Sequence, residues 1–436
     1  MVKTIKAIYS FIIPNPIKQI IRSIINIRRT IIENYLIKTQ PKRHQKALEI
    51  IRKKKKIKVF FFLINTDTWK YDSVFWVLNE NPLFEPTLVI CPFTTKGNDF
   101  LLNEFEKSIS FCIKNGYKYI EGYNKATGIS LDIKKVFKPD IVFFTNPNAL
   151  TSKEFLISNF RDTLTCYITY SFRISTYYSY EYNATLLNLV WINFCETTFH
   201  KELSTLYARN KGINTIVTGY PQFDNFGGGS KKVIWKPQEK KKKKIIWAPH
   251  WTIKGFQNTS HNWACFLDYA DTFLLIAEDY KDEIQLAIKP HPFLRSILEG
   301  DNLWGIERTN QYFSKWEQLE NCQIVVGDYV DLFIDSDALI HDSGGFMAEY
   351  LLLNKPLAYT LNDRDLEVGL NDFGKQLIKF HEIIKNKKEL DTFLINVINE
   401  NDDLKIKKND FVKNNFIIEG KKASQNIVNE ILKRIN

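Results

Sequence analysis

The chain has 436 residues, 44% apolar and 25% charged, a globular balance that excludes wholesale disorder and leaves room for two cores. Its formal charge of +11 is unevenly placed: residues 1–56 carry 15 Lys and Arg against 2 Asp and Glu, and the rest is net −2. Such asymmetry points to an anionic surface partner for one segment, and the reading adopted is a lipid surface with no nucleic-acid partner.

The first element expected is a helix over 15–38. Asn15 can cap it, and Pro16 suits the first helical position. Ile17, Ile20, Ile21, Ile24, Ile31, Ile32 and Tyr35 recur at helical spacing, with Lys18, Gln19, Arg22, Asn26, Arg29 and Glu33 on the other side. A basic helix with an isoleucine stripe either lies on an anionic bilayer or packs on the protein's own body. The preceding apolar stretch Ala7–Ile13 is broken by Pro14 and Pro16, and no run reaches the roughly 18 residues of a spanning helix. Neither export nor a transmembrane anchor is expected.

From Ile57 the pattern becomes alternating. Val59–Ile64, Thr87–Ile90, Asp140–Thr145 and, more weakly, Thr165–Thr169 read as buried parallel strands, with helices around Tyr71–Leu78 and Asn98–Asn115. The strand ends Asn65–Thr68 and Thr145–Asn148 are where open α/β sheets place ligands. Residues 225–244 read as a linker, with Gly227–Gly229, Pro237 and the lysine run Lys240–Lys244. A second alternation follows. Its strands are Lys244–Ala248, Gln285–Ile288, Gln323–Val326, Ala338–Ile340 and Leu357–Tyr359. Its helices lie around Trp263–Ala277, Tyr329–Ser336, Phe346–Asn354 and Lys387–Asn401, and a last helix covers Ala423–Ile435. The expected organisation is therefore a basic segment 1–56, an α/β domain 57–224, the linker 225–244, a second α/β domain 245–410 and a C-terminal helix within 411–436.

Cys91, Cys112, Cys166, Cys195, Cys265 and Cys322 are scattered, with no C-x-x-C pair and no zinc-ligand spacing. Reduced, buried thiols are expected, with no metal and no cofactor.

Four blocks carry chemistry. In the first, Ala338–Ile340 runs into His341-Asp342-Ser343-Gly344-Gly345 and then a helix containing Glu349, ending at Lys355-Pro356. The free backbone N–H groups and dipole of a helix N-terminus make an anion site. Ser343 can cap the helix or donate to a phosphate oxygen, Gly344 and Gly345 expose bare backbone, and Glu349 can accept from ribose hydroxyls. A plain strand–turn–helix with an Asp/Ser cap accounts for the same residues. In the second, Lys289-Pro290-His291-Pro292 leaves a strand end in a direction that two prolines fix; a cation and a titratable donor suit a diphosphate and a departing nucleotide. The bland reading is a strand end with a surface histidine. The third, Trp247-Ala248-Pro249-His250-Trp251-Thr252, aims another histidine at the same region, or forms a buried aromatic turn. The fourth, Gly219-Tyr220-Pro221-Gln222-Phe223-Asp224, reads as a hinge-like turn between domains.

In this order the blocks resemble the CDP-glycerol glycerophosphotransferase family, the teichoic-acid primases and polymerases. The resemblance spans about residues 140–365. It implies a GT-B fold, two Rossmann-like domains facing a cleft, with the acceptor on the first domain and the nucleotide on the second. It also implies a cytoplasmic enzyme peripherally associated with the inner face of the cell membrane. Such an enzyme transfers glycerol phosphate or a related polyol phosphate from a CDP-linked donor to a hydroxyl of a membrane-associated polysaccharide. Lys289, Ser343, Gly344, Gly345, Glu349, Asp342 and Pro249 then hold the donor, and His291 assists departure of CMP.

Two departures stand out. The family has a His-Gly pair thought to act as the acceptor's base, and the matching stretch Thr169-Tyr170-Ser171-Phe172 has no histidine; His250 and Asp67 are the candidate bases. The Ser-Gly-Gly turn followed by Glu349 is similar instead to UDP-N-acetylglucosamine 2-epimerases. The alternatives are therefore a glycosyltransferase with a UDP- or CMP-sugar donor for capsule or lipopolysaccharide, and a non-catalytic assembly factor on the same fold.

Overall fold

The computed structural model describes residues 15–230, 232–253, 262–362, 365–418 and 420–436. The apolar stretch Ala7–Ile13 and the side chains of Ile20 and Ile21 lie outside what is described.

The uninterrupted apolar runs become two parallel sheets. The first is built from β1 (Ile57–Leu63), β2 (Phe84–Ile90), β3 (Tyr119–Glu121), β6 (Ile141–Phe144), β7 (Leu164–Ile168), β8 (Ile192–Cys195) and β9 (Thr215–Val217), while β4 (Tyr123–Asn124) and β5 (Ile129–Ser130) form a separate small hairpin. Strand order is β3-β2-β1-β6-β7-β8-β9, so the chain reverses its direction of progress across the sheet at β1. The second sheet comprises β10 (Lys243–Ala248), β11 (Ile284–Ile288), β12 (Cys322–Ile324), β13 (Ala338–His341), β14 (Leu357–Thr360) and β15 (Glu382–Ile384), in the order β12-β11-β10-β13-β14-β15. Its reversal falls at β10. Each sheet is doubly wound, and ligands of such sheets sit beyond the carboxyl ends of the strands at the reversal point. Registers of Ala248 with His341 and of Trp247 with Ile288 bring three chemistry-bearing strand ends side by side.

Short strands escaped the sequence reading. Tyr119–Glu121, Thr215–Val217 and Glu382–Ile384 are three-residue edge strands, too short to show a period. Ile192–Cys195 is fully buried but only four residues long. The helix Gly305–Gln318 was also missed, because its buried face (Thr309, Tyr312, Phe313, Trp316) is mostly aromatic on a polar background.

The N-terminal helix runs Asn15–Ile51, well past the expected end, and carries Pro41 in its interior. Tertiary contacts hold it through the proline. Arg161 Nε donates to Gln40 Oε1 at 3.0 Å, and Gln40 Nε2 donates to the Arg161 carbonyl at 2.8 Å. Ala47, Leu48 and Ile51 then join the core of the first sheet. Upstream, Glu33 still ties the helix to the first domain by accepting from Thr185 and pairing with Arg209, but Ile24, Ile27 and Ile31 are 60%, 60% and 64% exposed. The packing reading thus holds for the C-terminal half, while in the first half Ile17, Ile24, Ile27, Ile31 and Ile32 are exposed.

The C-terminal helix Ala423–Ile435 follows a separate helix, Lys405–Asn415, and the chain between them passes through Gly420 at positive φ. Ile427, Val428, Ile431 and Ile435 are buried in the core of the first sheet. The Gly219–Asp224 block is the clasp for this return. Gly219 has φ +89°, and a Cβ there would stand 3.2 Å from Ala423 Cβ. Asp224 accepts the first backbone N–H groups of the helix, Ala423 at 2.9 Å and Ser424 at 2.8 Å. All six cysteines are free and buried.

Candidate active site: the cleft between the sheets

The two reversal points face each other across a cleft of about 1270 Å³. Its first-domain wall includes Asn65, Asp67, Lys70, Tyr170 and Ser175, and its second-domain wall includes His250, Lys289, His291, Tyr329, Ser343, Gly344 and Gly345.

The turn after β13 has the geometry of an anion site. Ser343 stands at the N-cap of the helix Gly344–Leu351 in extended conformation, and its hydroxyl makes no cap hydrogen bond. Gly345 faces open space, whereas a Cβ on Gly344 would lie 3.1 Å from Ile174 Cδ1 of the other domain. Gly344 thus serves the closeness of the two domains as well as the exposed backbone. Beneath the turn, Ser343 N donates to His341 Nδ1 (3.2 Å), which leaves the proton on Nε2 facing His381 Nε2 at 3.2 Å; His381 Nδ1 in turn donates to the Leu377 carbonyl. Burial holds both rings neutral, His381 down to about 4.

Two donor-site expectations are revised. Asp342 is 1% exposed and accepts the backbone N–H groups of His250 and Cys265, so it ties the turn to the β10 strand end from behind the cleft wall. Glu349 reaches the wall but is 2% exposed, and its two oxygens accept from the hydroxyls of Tyr220 and Tyr329. A carboxylate in that setting holds the aromatic wall in place instead of waiting free for a ribose. Its burial raises its pKa, against the pull of the nearby Lys70.

The cationic wall is built on the Tyr329 ring. Lys70 Nζ donates to Tyr329 Oη at 2.9 Å, and Lys289 Nζ lies 5.3 Å from the ring centroid while donating to the Gly327 carbonyl. Burial first, and then the like charge of Lys70, lower Lys289 to about 8. His291 is lowered well below its usual value by burial, His250 and Lys289 in that order. Its Nδ1 accepts from Phe293 N at 3.2 Å, so the neutral ring carries its proton on Nε2 and is a donor there. Its backbone N–H donates to the Pro249 carbonyl, joining the β10 and β11 ends, and the rings of His250 and His291 are 5.1 Å apart. Asp67 lies across the cleft, 3.9 Å from Lys107, and its charge reaches Lys289.

Lys70, Tyr329, Ser175 and Glu181 were not anticipated, and Tyr220 was read only as part of a hinge-like turn. Lys70 and Ser175 come from loops with no motif. Tyr329 shows only as the residue before the helix Val330–Ile334. Among the described residues no group of three or more His, Cys, Asp and Glu is placed to hold a metal ion.

The family described as CDP-Glycerol:Poly(glycerophosphate) glycerophosphotransferase matches residues 198–433. The teichoic acid poly(ribitol-phosphate) polymerase of Bacillus spizizenii is 29% identical over 177 residues, 38% of this chain and 26% of that protein, so the match spans about a quarter of the relative's length. Among solved structures, the wall teichoic acid polymerase TagF is similar with a TM-score of 0.53 at 13% identity, over 95% of this chain and 97% of that one. A UDP-N-acetylglucosamine 2-epimerase gives a TM-score of 0.54 at 13% identity, over 87% and 96%. At these identities the likeness is one of fold, and the fold is GT-B.

Proposed function

The chain belongs to the CDP-glycerol:poly(glycerophosphate) glycerophosphotransferase family, and from that membership we propose that it transfers glycerol phosphate, or a related polyol phosphate, from a CDP-linked donor to a hydroxyl of a teichoic-acid-like acceptor at a membrane, releasing CMP. The observation that carries the reading is the convergence, at one reversal point, of an uncapped helix N-terminus with Lys289 and His291. A diphosphate laid on the Ser343–Gly345 turn meets backbone N–H groups, a serine hydroxyl and a buried lysine. Phosphoryl transfer asks a protein mainly for positioning and charge neutralisation, which this set supplies. The acceptor oxygen attacks the β-phosphorus. The bond to the bridging oxygen breaks, and His291, whose Nδ1 accepts from Phe293 N so that its proton is on Nε2, donates that Nε2–H to the leaving CMP.

The acceptor is placed at an anionic bilayer, met by residues 15–38. Support comes from the exposed Ile24, Ile27, Ile31 and Tyr35 and from the net +13 of residues 1–56. No helix among the described residues is long and apolar enough to cross a membrane.

The test is a donor panel. The protein is incubated with CDP-glycerol, UDP-sugars and CMP-sugars, and nucleotide release is followed. CMP from CDP-glycerol supports the proposal. UDP, or CMP from a CMP-sugar, would make the chain a glycosyltransferase, and no release would make it a non-catalytic assembly factor.

A further inference from the structure

The stretch Thr169-Tyr170-Ser171-Phe172 contains no histidine, yet the cleft wall just beyond it holds a hydrogen-bonded pair suited to moving a proton. Ser175 Oγ donates to Glu181 Oε1 at 2.8 Å and accepts from Tyr177 N at 3.1 Å. A hydroxyl has one proton and two lone pairs, so one acceptor position on Ser175 remains for an incoming group. Both Ser175 and Glu181 line the cleft. The second carboxylate oxygen, Glu181 Oε2, is buried and has no hydrogen-bond partner. A carboxylate with one buried, unpartnered oxygen is costly to keep charged and is a common mark of a functional site.

The pair also stands in the right place. Ile174, the residue before Ser175, puts its Cδ1 against Gly344 of the nucleotide turn, and its carbonyl accepts from Asn371 N at 2.8 Å. Thr176 N donates to the Gly369 carbonyl. The 174–176 segment is therefore pinned to the second domain beside the proposed diphosphate site. His250 and His291, by contrast, stand on the second-domain wall.

We propose that Ser175 and Glu181 form the proton relay of the acceptor side: Ser175 Oγ takes the proton of the attacking hydroxyl as its own proton passes to Glu181 Oε1. The step balances without a further reactant. The acceptor oxygen forms a bond to the β-phosphorus and that phosphorus loses its bond to CMP, which leaves with the electron pair; one proton moves from acceptor to Ser175 and one from Ser175 to Glu181. The proposal rests on the transfer reaction proposed above. Ser175 touches the substrate, and Glu181 acts through it.

The surroundings suit a carboxylate that exchanges protons near neutrality. Burial raises Glu181 to about 7, opposed by the Ser175 hydrogen bond and by Arg173, with a small upward push from Glu196. The groups facing it are Arg173, Glu196, Tyr170, Tyr178 and Tyr182. The Arg173 guanidinium bonds both oxygens of Glu196, at 3.1 and 2.6 Å, and donates to the Glu181 backbone carbonyl at 3.3 Å. It makes no hydrogen bond to the Glu181 carboxylate and lowers it through space.

The test is the pH dependence of CMP release from CDP-glycerol in the presence of a short polyol-phosphate acceptor, with the whole chain, comparing wild type with Glu181→Gln, Glu181→Asp, Ser175→Ala and Asp67→Asn. Wild type should show a limb rising with pH, with its midpoint near 7. Glu181→Gln should lower kcat by about 10²–10⁴-fold and abolish that limb, with CDP affinity unchanged. Glu181→Asp should keep the limb at reduced kcat. Ser175→Ala should lower kcat and keep the limb, because the titrating group is still there. If Glu181→Gln retains the limb, or Asp67→Asn removes it, the relay is wrong. Should Glu181→Gln fail to fold, loss of the limb in Glu181→Asp, or full kcat in Ser175→Ala, overturns the relay. A wild-type protein that releases no CMP sinks the transfer reading itself and this assignment with it; an active wild type with a normal Glu181→Gln sinks the relay alone.

Discussion

Lys289 and His291 sit one residue apart at a single strand end, yet their surroundings give them different tasks. Lys289 is depressed to about 8 from an ordinary 10.5, so in the empty cleft it loses its proton around pH 8, where an unperturbed lysine would still be charged. A diphosphate beside it favours the charged form. Nucleotide affinity should therefore be constant below about pH 8 and decline as the pH climbs from 8 towards 10.5. Calorimetric titration of CDP from pH 7 to 9.5 checks this; a flat wild-type profile would remove Lys289 from the donor site, and Lys289→Arg should be flat by design. The sign for stability is opposite: charged Lys289 is a burden on the fold below about 8, relieved as pH rises through the same window. His291 is held neutral with its proton on Nε2, so His291→Ala should cost kcat about 10²–10³-fold and leave KM nearly unchanged. A rise in KM alone would mean that the ring only binds. Both residues could be placed on the cleft wall from the sequence because two prolines fix the strand end. Glu349 was legible as a site residue but not as one whose oxygens two tyrosines already hold, since Tyr220 lies 129 residues away in the chain.

Among the elements, those that announce themselves are the ones with a long apolar run or a sharp cap. The helix Ala423–Ile435 was read to the residue, and its buried positions follow the helical period cleanly. What could not be read is that its cap comes from another part of the chain. Asp224 accepts two backbone N–H groups 199 and 200 residues further on. Asp224→Ala leaves both donors without that partner and should destabilise the protein by about 1–2 kcal/mol. Urea unfolding measures it, and an unchanged midpoint would mean that the clasp holds nothing. The N-terminal helix teaches the reverse lesson. Pro41 marks an end by local rules, but the Gln40–Arg161 bonds and the packing of Ala47, Leu48 and Ile51 carry the helix to Ile51.

For the whole molecule, the division of the N-terminal helix sets how the proposed membrane contact must be tested. Deleting residues 1–56 would strip Ala47, Leu48 and Ile51 from the first core and confuse lipid binding with unfolding. Substituting the exposed Ile24, Ile27 and Ile31 with Glu avoids this, since surface changes cost little stability. The triple variant should melt as wild type does but no longer sediment with anionic liposomes. Its wild-type counterpart should bind them, less at high salt. Equal sedimentation of the two would end the lipid reading.

Two α/β domains were readable because two alternating patterns flank one Gly- and Lys-rich break; their GT-B form came from the family resemblance. Most of the cleft residues read from the sequence lie on the second-domain wall, where motifs sit at strand ends; on the first-domain wall only the strand ends Asn65–Thr68 and Thr145–Asn148 were marked, and the rest is assembled from loop residues that share no spacing. The central claim is that a phosphate group moves with the polyol from the nucleotide to the acceptor. The most direct measurement follows CDP-glycerol labelled with ³²P at the β-phosphorus, mixed with the protein and a short polyol-phosphate acceptor. The account predicts label in the acceptor, in a phosphodiester, with unlabelled CMP released in equal amount. Label remaining on a released nucleotide diphosphate would contradict it.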